Sequence, residues 1–225
     1  MRTGREDVQP FADRHQAGAV LAEHLDAYAG RGDIVVLALP RGGVPVGFEV
    51  ARALGAPLDV FLVRKLGVPT HRELAMGAIA SGGIRVLDDQ LISSLGIPPE
   101  AVEATTREEE RELERRESAY RDRPARSLEG RVVILVDDGL ATGATMKAAV
   151  QAVRQRSPQK IVVAVPVGSH EACSELGDLA DEVVCARIPP HFSAVGQWFV
   201  DFSQTTDREV RELLDRCAAG GRRPV

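Results

Sequence analysis

"ILVDDGLATGATM", Ile134 to Met146, passes from aliphatic residues into two adjacent aspartates, then through Gly, Ala and Thr into a helical pattern. The aliphatic run reads as a buried strand, and "ATMKAAVQAVRQR" as the helix that follows it. A ligand beyond such a strand end meets two different chemistries. The backbone N–H groups from Thr142 to Thr145 and the positive end of the helix favour an anion, with two threonine hydroxyls beside them. Asp137 and Asp138 would repel that anion, so their natural partners are sugar hydroxyls or Mg²⁺. Diol plus phosphate is the ligand class that uses both. The plainer alternative is that Asp137-Asp138-Gly139 is a turn and Thr142 a helix cap.

Working outward, strand and helix alternate on both sides. "RHQAGAVLAEHLDAYAG" (Arg14–Gly30) has helical spacing and a closing glycine, "DIVVLAL" (Asp33–Leu39) is a buried strand, and "VPVGFEVARALG" is a helix. "LDVFLVRK" (Leu58–Lys65) reads as the next strand of the same sheet. Downstream come "RVVILVDD", "KIVVAVPVG" and "DEVVCARI" as strands, with "HEACSELGDLA" and "TDREVRELLDRCAAG" as helices. This pattern predicts an α/β fold with a mostly parallel twisted sheet flanked by helices.

Between the two halves the pattern is less regular. "ELAMGAIASGGIRVLDD" (Glu73–Asp89) predicts a hairpin around Gly82-Gly83. "PPEAVEATTREEERELERRESAYR" (Pro98–Arg121) predicts a long charged helix with a packing stripe of Val102, Leu113 and Tyr120. Pairs such as Glu112 with Arg116 make its charge mostly a solvated face. The chain thus reads as one domain over 1–225, with 66–128 partly inserted as loop, hairpin and charged helix. "GRRPV" at the end reads as a frayed tail.

The 225 residues carry a formal net charge of -5, which gives no basic footprint for nucleic acid. The three cysteines, Cys173, Cys185 and Cys217, lack metal-ligand spacing and read as free thiols. Cys185, within a strand, reads as a small buried hydrophobe. Neither an apolar leader nor a run of about 18 apolar residues is present, so a soluble cytoplasmic protein is expected. The charged helix or an exposed apolar segment could serve self-association, which leaves a homo-oligomer open.

In open α/β sheets ligands bind beyond the carboxyl ends of the strands, so "LPRGG", "VRKLG" and "VDDGLATGAT" belong together. "VILVDDGLATGATM" resembles the phosphoribosyl-pyrophosphate motif of type I phosphoribosyltransferases, and the resemblance runs from about Arg14 to Asp207. It implies the fold of that family, with an inserted hood-like segment, and Mg²⁺-dependent transfer of a phosphoribosyl group to a small nitrogenous acceptor. Asp137 and Asp138 would then bind the ribose hydroxyls, and Ala141, Thr142, Gly143, Ala144 and Thr145 the 5′-phosphate. Pro40 to Gly43 resembles the pyrophosphate loop, which often holds an unusual cis peptide. Arg41, Gly42, Gly43 and Lys65 would serve the diphosphate, with Arg41 and Lys65 compensating its charge in catalysis.

The same resemblance makes Gly67–Ala75 a mobile closing loop and Ile188–Phe202 the base-side segment. Phe192 or Trp198 would stack on a base, and Asp201 would contact Mg²⁺. Hypoxanthine/guanine members carry an acid where this chain has Ala141, whereas adenine, orotate and uracil members lack it. A purine-like base leads among the acceptors, with orotate, uracil and a non-base amine also open. The alternative function is a non-catalytic regulatory binder of the same phosphoribosyl ligand. "LPRGGVPVG" does not supply the G-x-G-x-x-G of a dinucleotide-binding enzyme.

Overall fold

A computed structural model describes residues 9–120 and 126–220. The expected frayed tail at 221–225 and the last residue of the charged helix, Arg121, lie outside the described residues. Strand β1 (Ile34–Ala38) and β6 (Val132–Val136) form the middle of a five-stranded sheet of order β2-β1-β6-β7-β8. The other members are β2 (Leu58–Val60), β7 (Lys160–Val165) and β8 (Glu182–Cys185), and every pairing is parallel.

All five residues of β1 and all five of β6 are buried, because helices cover both faces. Alternation divides them. Ile34, Val36 and Ala38 join the core under α1 (Arg14–Glu23), α2 (Gly43–Leu54) and α7 (Asp207–Gly220). Val35 and Leu37 join the opposite core under α5 (Ala144–Arg154) and α6 (His170–Gly177). Continuous aliphatic runs are what a doubly covered parallel strand requires.

The run Leu58–Lys65 is not one strand, contrary to the expectation from its pattern. After Val60 the chain leaves the central sheet, and β3 (Val63–Val68) begins an antiparallel sheet with β4 (His71–Ala80) and β5 (Ile84–Leu87). The break is fixed by hydrogen bonds. The Phe61 N–H still reaches Ala38 O (3.0 Å), but the Leu62 N–H donates to Ser81 Oγ (2.9 Å) and the Ser81 N–H returns to Leu62 O (2.9 Å). Gly67–Ala75 is accordingly the end of a β3–β4 hairpin with an irregular register, not an extended loop. The expected turn at Gly82-Gly83 connects β4 to β5.

Helix α3 (Asp89–Ser94) leads to α4 (Pro99–Tyr120), which packs on β3 and buries Val102, Thr106, Leu113 and Tyr120. Arg116 Nε donates to Glu112 Oε1 at 2.7 Å across one helical turn. Among the described residues no helix is long and apolar enough to cross a membrane.

The Leu62–Ser81 exchange offers a direct check on how the two sheets are joined. Ser81 is buried, so Ser81→Ala leaves the Leu62 amide without its acceptor. The expected cost is about 1–3 kcal/mol of unfolding free energy in urea titration. Wild-type stability in the variant would show that the junction is held elsewhere.

Candidate active site

The central sheet reverses its direction of growth between β1 and β6. From β1 the chain moves outward to β2, and from β6 it moves outward through β7 to β8. A crevice opens at such a reversal, beyond the carboxyl ends of the two strands. The turn Pro40–Gly43 leaves β1 there, and Asp137-Asp138 leaves β6 beside it. The Leu39 N–H donates to Val136 O at 2.8 Å, which extends the β1–β6 ladder to the brink of both turns.

Two glycines let those turns touch. A Cβ on Gly42 would lie 2.0 Å from Asp138 Oδ2, and one on Gly43 would lie 2.8 Å from Val136 O and 2.9 Å from Asp137 Cα. Any side chain at either position would push the aspartates away from the turn. The Pro40–Arg41 peptide is cis. Arg41 reaches the other way, with Nη1 3.6 Å from Asp207 Oδ1 at the start of α7. The Tyr120 hydroxyl donates to that same Asp207 oxygen at 2.5 Å.

Past the aspartates, Leu140 bridges in parallel to Gly168. The Leu140 N–H donates to Val167 O (3.0 Å), Ser169 N–H to Leu140 O (2.9 Å), and Ser169 Oγ to Ala141 O (2.9 Å). This staple presents Ala141, Thr142, Ala144 and Thr145 as exposed residues around the first turn of α5. Gly143 is the N-cap, at φ 68°, and has no side chain to cap the helix. Thr142 Oγ1 accepts only a long bond, 3.4 Å, from the Ala144 N–H. The first N–H groups of α5 have no intrahelical acceptor and point out of the helix end.

Lys65 is exposed on β3, paired with Ala78, and so belongs to the small sheet rather than to an exit of the central one. It nevertheless shares a cavity of about 420 Å³ with Thr145, together with Arg64, Arg72 and Arg116. Thr145 and Lys65 thus face one space, while Arg41 lies on the α4–α7 side.

Phe192 and Trp198 are partly buried against Phe11, Ala17, Val167 and Phe199. Trp198 Nε1 is buried with no hydrogen-bond partner among the described residues. The ring that the sequence reading passed over is Phe202, 38% exposed and lying under the Arg14 guanidinium. Asp201 is exposed, and its Oδ1 accepts from the Ser203 N–H at 2.8 Å, which holds its carboxyl below the usual range. Among the described residues no three His, Cys, Asp or Glu side chains cluster to hold a metal. Cys185 is half-buried beside Cys173, with both sulfurs close to Gly168.

Arg14 was also missed. From α1 its Nε donates to Asp138 Oδ2 at 2.9 Å, and its Nη1 to Ser203 O at 2.7 Å. The only sequence signal was a basic residue opening a helix, which is too common to single out.

With this geometry in view, comparison with known proteins is specific. Residues 70–202, more than half of the chain, match the family described as phosphoribosyl transferase domain. The chain belongs to that family. Proteins from two strains of Mycobacterium tuberculosis, provisionally named as phosphoribosyl transferases, are 49% identical over 207 residues, 92% of this chain. The chain spans 46% of the length of those relatives. The crystal structure of the TT1426 protein from Thermus thermophilus superposes with a TM-score of 0.83 at 45% identity, covering 92% of this chain and 98% of that one. The matched family span includes the Asp137–Thr145 segment of this phosphoribosyl transferase domain. Pro40–Gly43 and Lys65 precede the span, and their geometry stands on the fold alone.

The electrostatics of the carboxylate pair follow from burial. Burial pushes the Asp137 carboxyl well above the usual range, and the charge of Asp138 adds to the rise. Burial raises Asp138 as well, against the charge and hydrogen bond of Arg14. A carboxyl raised on folding keeps a proton that the unfolded chain has released. Stability then falls as pH climbs from the ordinary carboxylate range, about 4, through the folded value, and the deficit persists above it. Asp137→Asn removes the charge and keeps an oxygen to accept from the Asp138 N–H. It should raise Tm at neutral pH, with each kcal/mol worth about 2–4 °C, and the gain should vanish as pH approaches about 4. Scanning calorimetry across that range checks it, and a gain independent of pH would refute the assignment.

Proposed function

We propose that this domain binds phosphoribosyl pyrophosphate at the β1–β6 reversal and transfers its phosphoribosyl group to a small nitrogenous acceptor, releasing pyrophosphate. The observation that carries the reading is the contact between two strand exits. Asp137-Asp138 leads directly into the open N-terminus of α5, and the glycine turn from β1 packs on the same aspartates. A diol, a phosphate and a diphosphate are thereby offered three adjoining surfaces.

On this reading the carboxylates accept from the ribose 2′- and 3′-hydroxyls, and Ala141–Thr145 wraps the 5′-phosphate. The diphosphate lies toward Gly42 and Gly43, whose missing side chains allow close approach. Lys65 supplies charge from the small sheet, in the cavity it shares with Thr145. Arg41 would exchange its long, half-exposed contact with Asp207 for the diphosphate, since such a pair is worth only about 0–1 kcal/mol. The bond from C1′ to the diphosphate oxygen breaks, the acceptor nitrogen forms a bond to C1′, and the acceptor releases its proton.

The donor set fits Mg²⁺ carried in with the substrate better than a dedicated cage, because the nearby carboxylates are a pair and a separate Asp201. Mg²⁺ commonly keeps waters and takes phosphate oxygens, and bound there it would neutralise the departing diphosphate. Asp201 is the carboxylate proposed to meet it. The acceptor is proposed to be purine-like, with Phe192, Trp198 and the exposed Phe202 near its path. A cytoplasmic setting is proposed from the composition alone.

Calorimetry with phosphoribosyl pyrophosphate, with and without Mg²⁺, tests the binding half of this reading. Asp138→Asn should weaken binding by about 1.5–3 kcal/mol, roughly 10- to 150-fold. A folded protein that shows no heat at millimolar ligand would end the proposal. Pyrophosphate release with a panel of bases and amines tests transfer. Arg41→Ala and Lys65→Ala should each lower kcat/KM by roughly 30- to 1000-fold, about 2–4 kcal/mol, with smaller losses in ligand affinity. Tight binding without turnover on any acceptor would instead identify a regulatory binder.

A further inference from the structure

The carboxylate pair is not held by its own loop alone. The start of the described chain is zipped to the segment at the end of a short helical turn, Val195–Trp198. Phe11 N–H donates to Trp198 O (2.8 Å), Val200 N–H to Phe11 O (2.8 Å), and Asp201 N–H to Ala12 O (2.9 Å). Asp13 then caps α1 by accepting from the Gln16 N–H at 2.8 Å, which fixes where the helix begins. Arg14, the next residue, is delivered between Phe202 and Asp138.

Three contacts hold its guanidinium there. Nε donates to Asp138 Oδ2 at 2.9 Å, Nη1 donates to Ser203 O at 2.7 Å, and the group lies 4.0 Å from the centre of the Phe202 ring. The side chains of Arg14 and Asp138 are only 10% and 16% exposed, so solvent screens the pair weakly. Oδ2 is also the atom nearest the missing Cβ of Gly42. That edge of the carboxylate is therefore committed to Arg14 and the glycine turn, and the remaining lone pairs are available to a hydroxyl. A carboxylate anchored at one oxygen cannot rotate freely, and its ionised form is the one that Arg14 stabilises.

We propose that Arg14 is a positioning residue for sugar recognition: it fixes Asp138 as an oriented carboxylate that accepts from the ribose diol, and it has no part in holding the phosphate. The inference rests on the ribose-binding reading of Asp137-Asp138 given above. Without Arg14, Asp138 would lose the cation hydrogen-bonded to it and the anchor that fixes its orientation. The phosphate loop at Ala141–Thr145 is stapled separately, through Leu140, Val167 and Ser169. Sugar and phosphate recognition should therefore come apart on mutation.

The test compares two probes, ribose 5-phosphate and inorganic phosphate, by calorimetry at neutral pH on the whole chain. Arg14→Ala should weaken ribose 5-phosphate at least about tenfold and leave inorganic phosphate within about twofold, since a hydrogen bond to a charged group is at stake. Arg14→Lys, which keeps the cation and helix propensity but loses the planar fork, should recover part of that loss. Phe202→Leu, which removes the stacking surface while Arg14 keeps both hydrogen bonds, should give a smaller selective loss. Equal loss of both probes in Arg14→Lys and Phe202→Leu, or in a folded Arg14→Ala, would make Arg14 a structural prop and overturn the proposal. Tighter ribose 5-phosphate binding in Arg14→Ala would overturn it too, by making Arg14 a competitor for Asp138. If wild type binds phosphate but not ribose 5-phosphate, the ribose reading itself fails and takes this inference with it.

Discussion

Asp137 and Asp138 stand at the end of a strand whose five residues are all buried, and the Arg14 guanidinium is hydrogen-bonded to the second of them. Most of the site's construction answers to that arrangement. Two adjacent carboxylates in a poorly solvated place cannot both stay ionised without compensation. Arg14 compensates one of them directly, while burial and the neighbouring charge push Asp137 toward its protonated form. The pair is thus costly to bury, and on the proposed reading a sugar diol would donate to it. Such a pair is poor design for stability alone, which is why it weighs toward binding.

The aspartates are usable only because β1 and β6 are neighbours at the reversal of the sheet. Their exits emerge side by side, and glycines at 42 and 43 let the backbones meet without an intervening side chain. The Ala141–Thr145 loop is then fixed by a second attachment, the Leu140–Gly168 bridge with Ser169 closing on Ala141. The aspartates lie just past the end of β6, and the open N–H groups lie at the start of α5.

The sheet, its helices and the two strand exits were legible in the sequence because each is written locally, as an aliphatic run meeting glycine or aspartate. The packing stripe of α4 was legible for the same reason, through Val102, Leu113 and Tyr120. What escaped was set by distant partners. Arg14 lies 124 residues from Asp138, and nothing in its neighbourhood marks it. The run Leu58–Lys65 looks like one strand because aliphatic pattern reports burial, not which sheet does the burying; Ser81, far along the chain, decides that Leu62 leaves. In the segment 192–202 the residue types could not say which ring turns outward. Packing against Phe11 and Val167 takes up Phe192 and Trp198, and the stacked Phe202 is left at the surface.

The charged helix α4 shows how a surface that reads as solvated can still reach a site. Some of its ion pairs are internal to the helix, as Glu112 with Arg115 and Arg116. Others tie it to the small sheet, as Glu109 with Arg64 and Glu103 with Arg85. Its last described residue behaves differently. Burial first, and then the bond to Asp207, push the Tyr120 hydroxyl up to about 12. At neutral pH it is therefore a donor, and its donation keeps Asp207 anionic, below the usual carboxylate range. That anion faces Arg41, but at 3.6 Å the two do not make a close hydrogen bond. Arg41 is thus oriented by α4 and α7 without being locked by them. On the proposed reading, an arginine held this loosely beside a glycine turn is free to follow an anion that offers shorter, better aligned oxygens, and the long helix orients it through Tyr120 and Asp207.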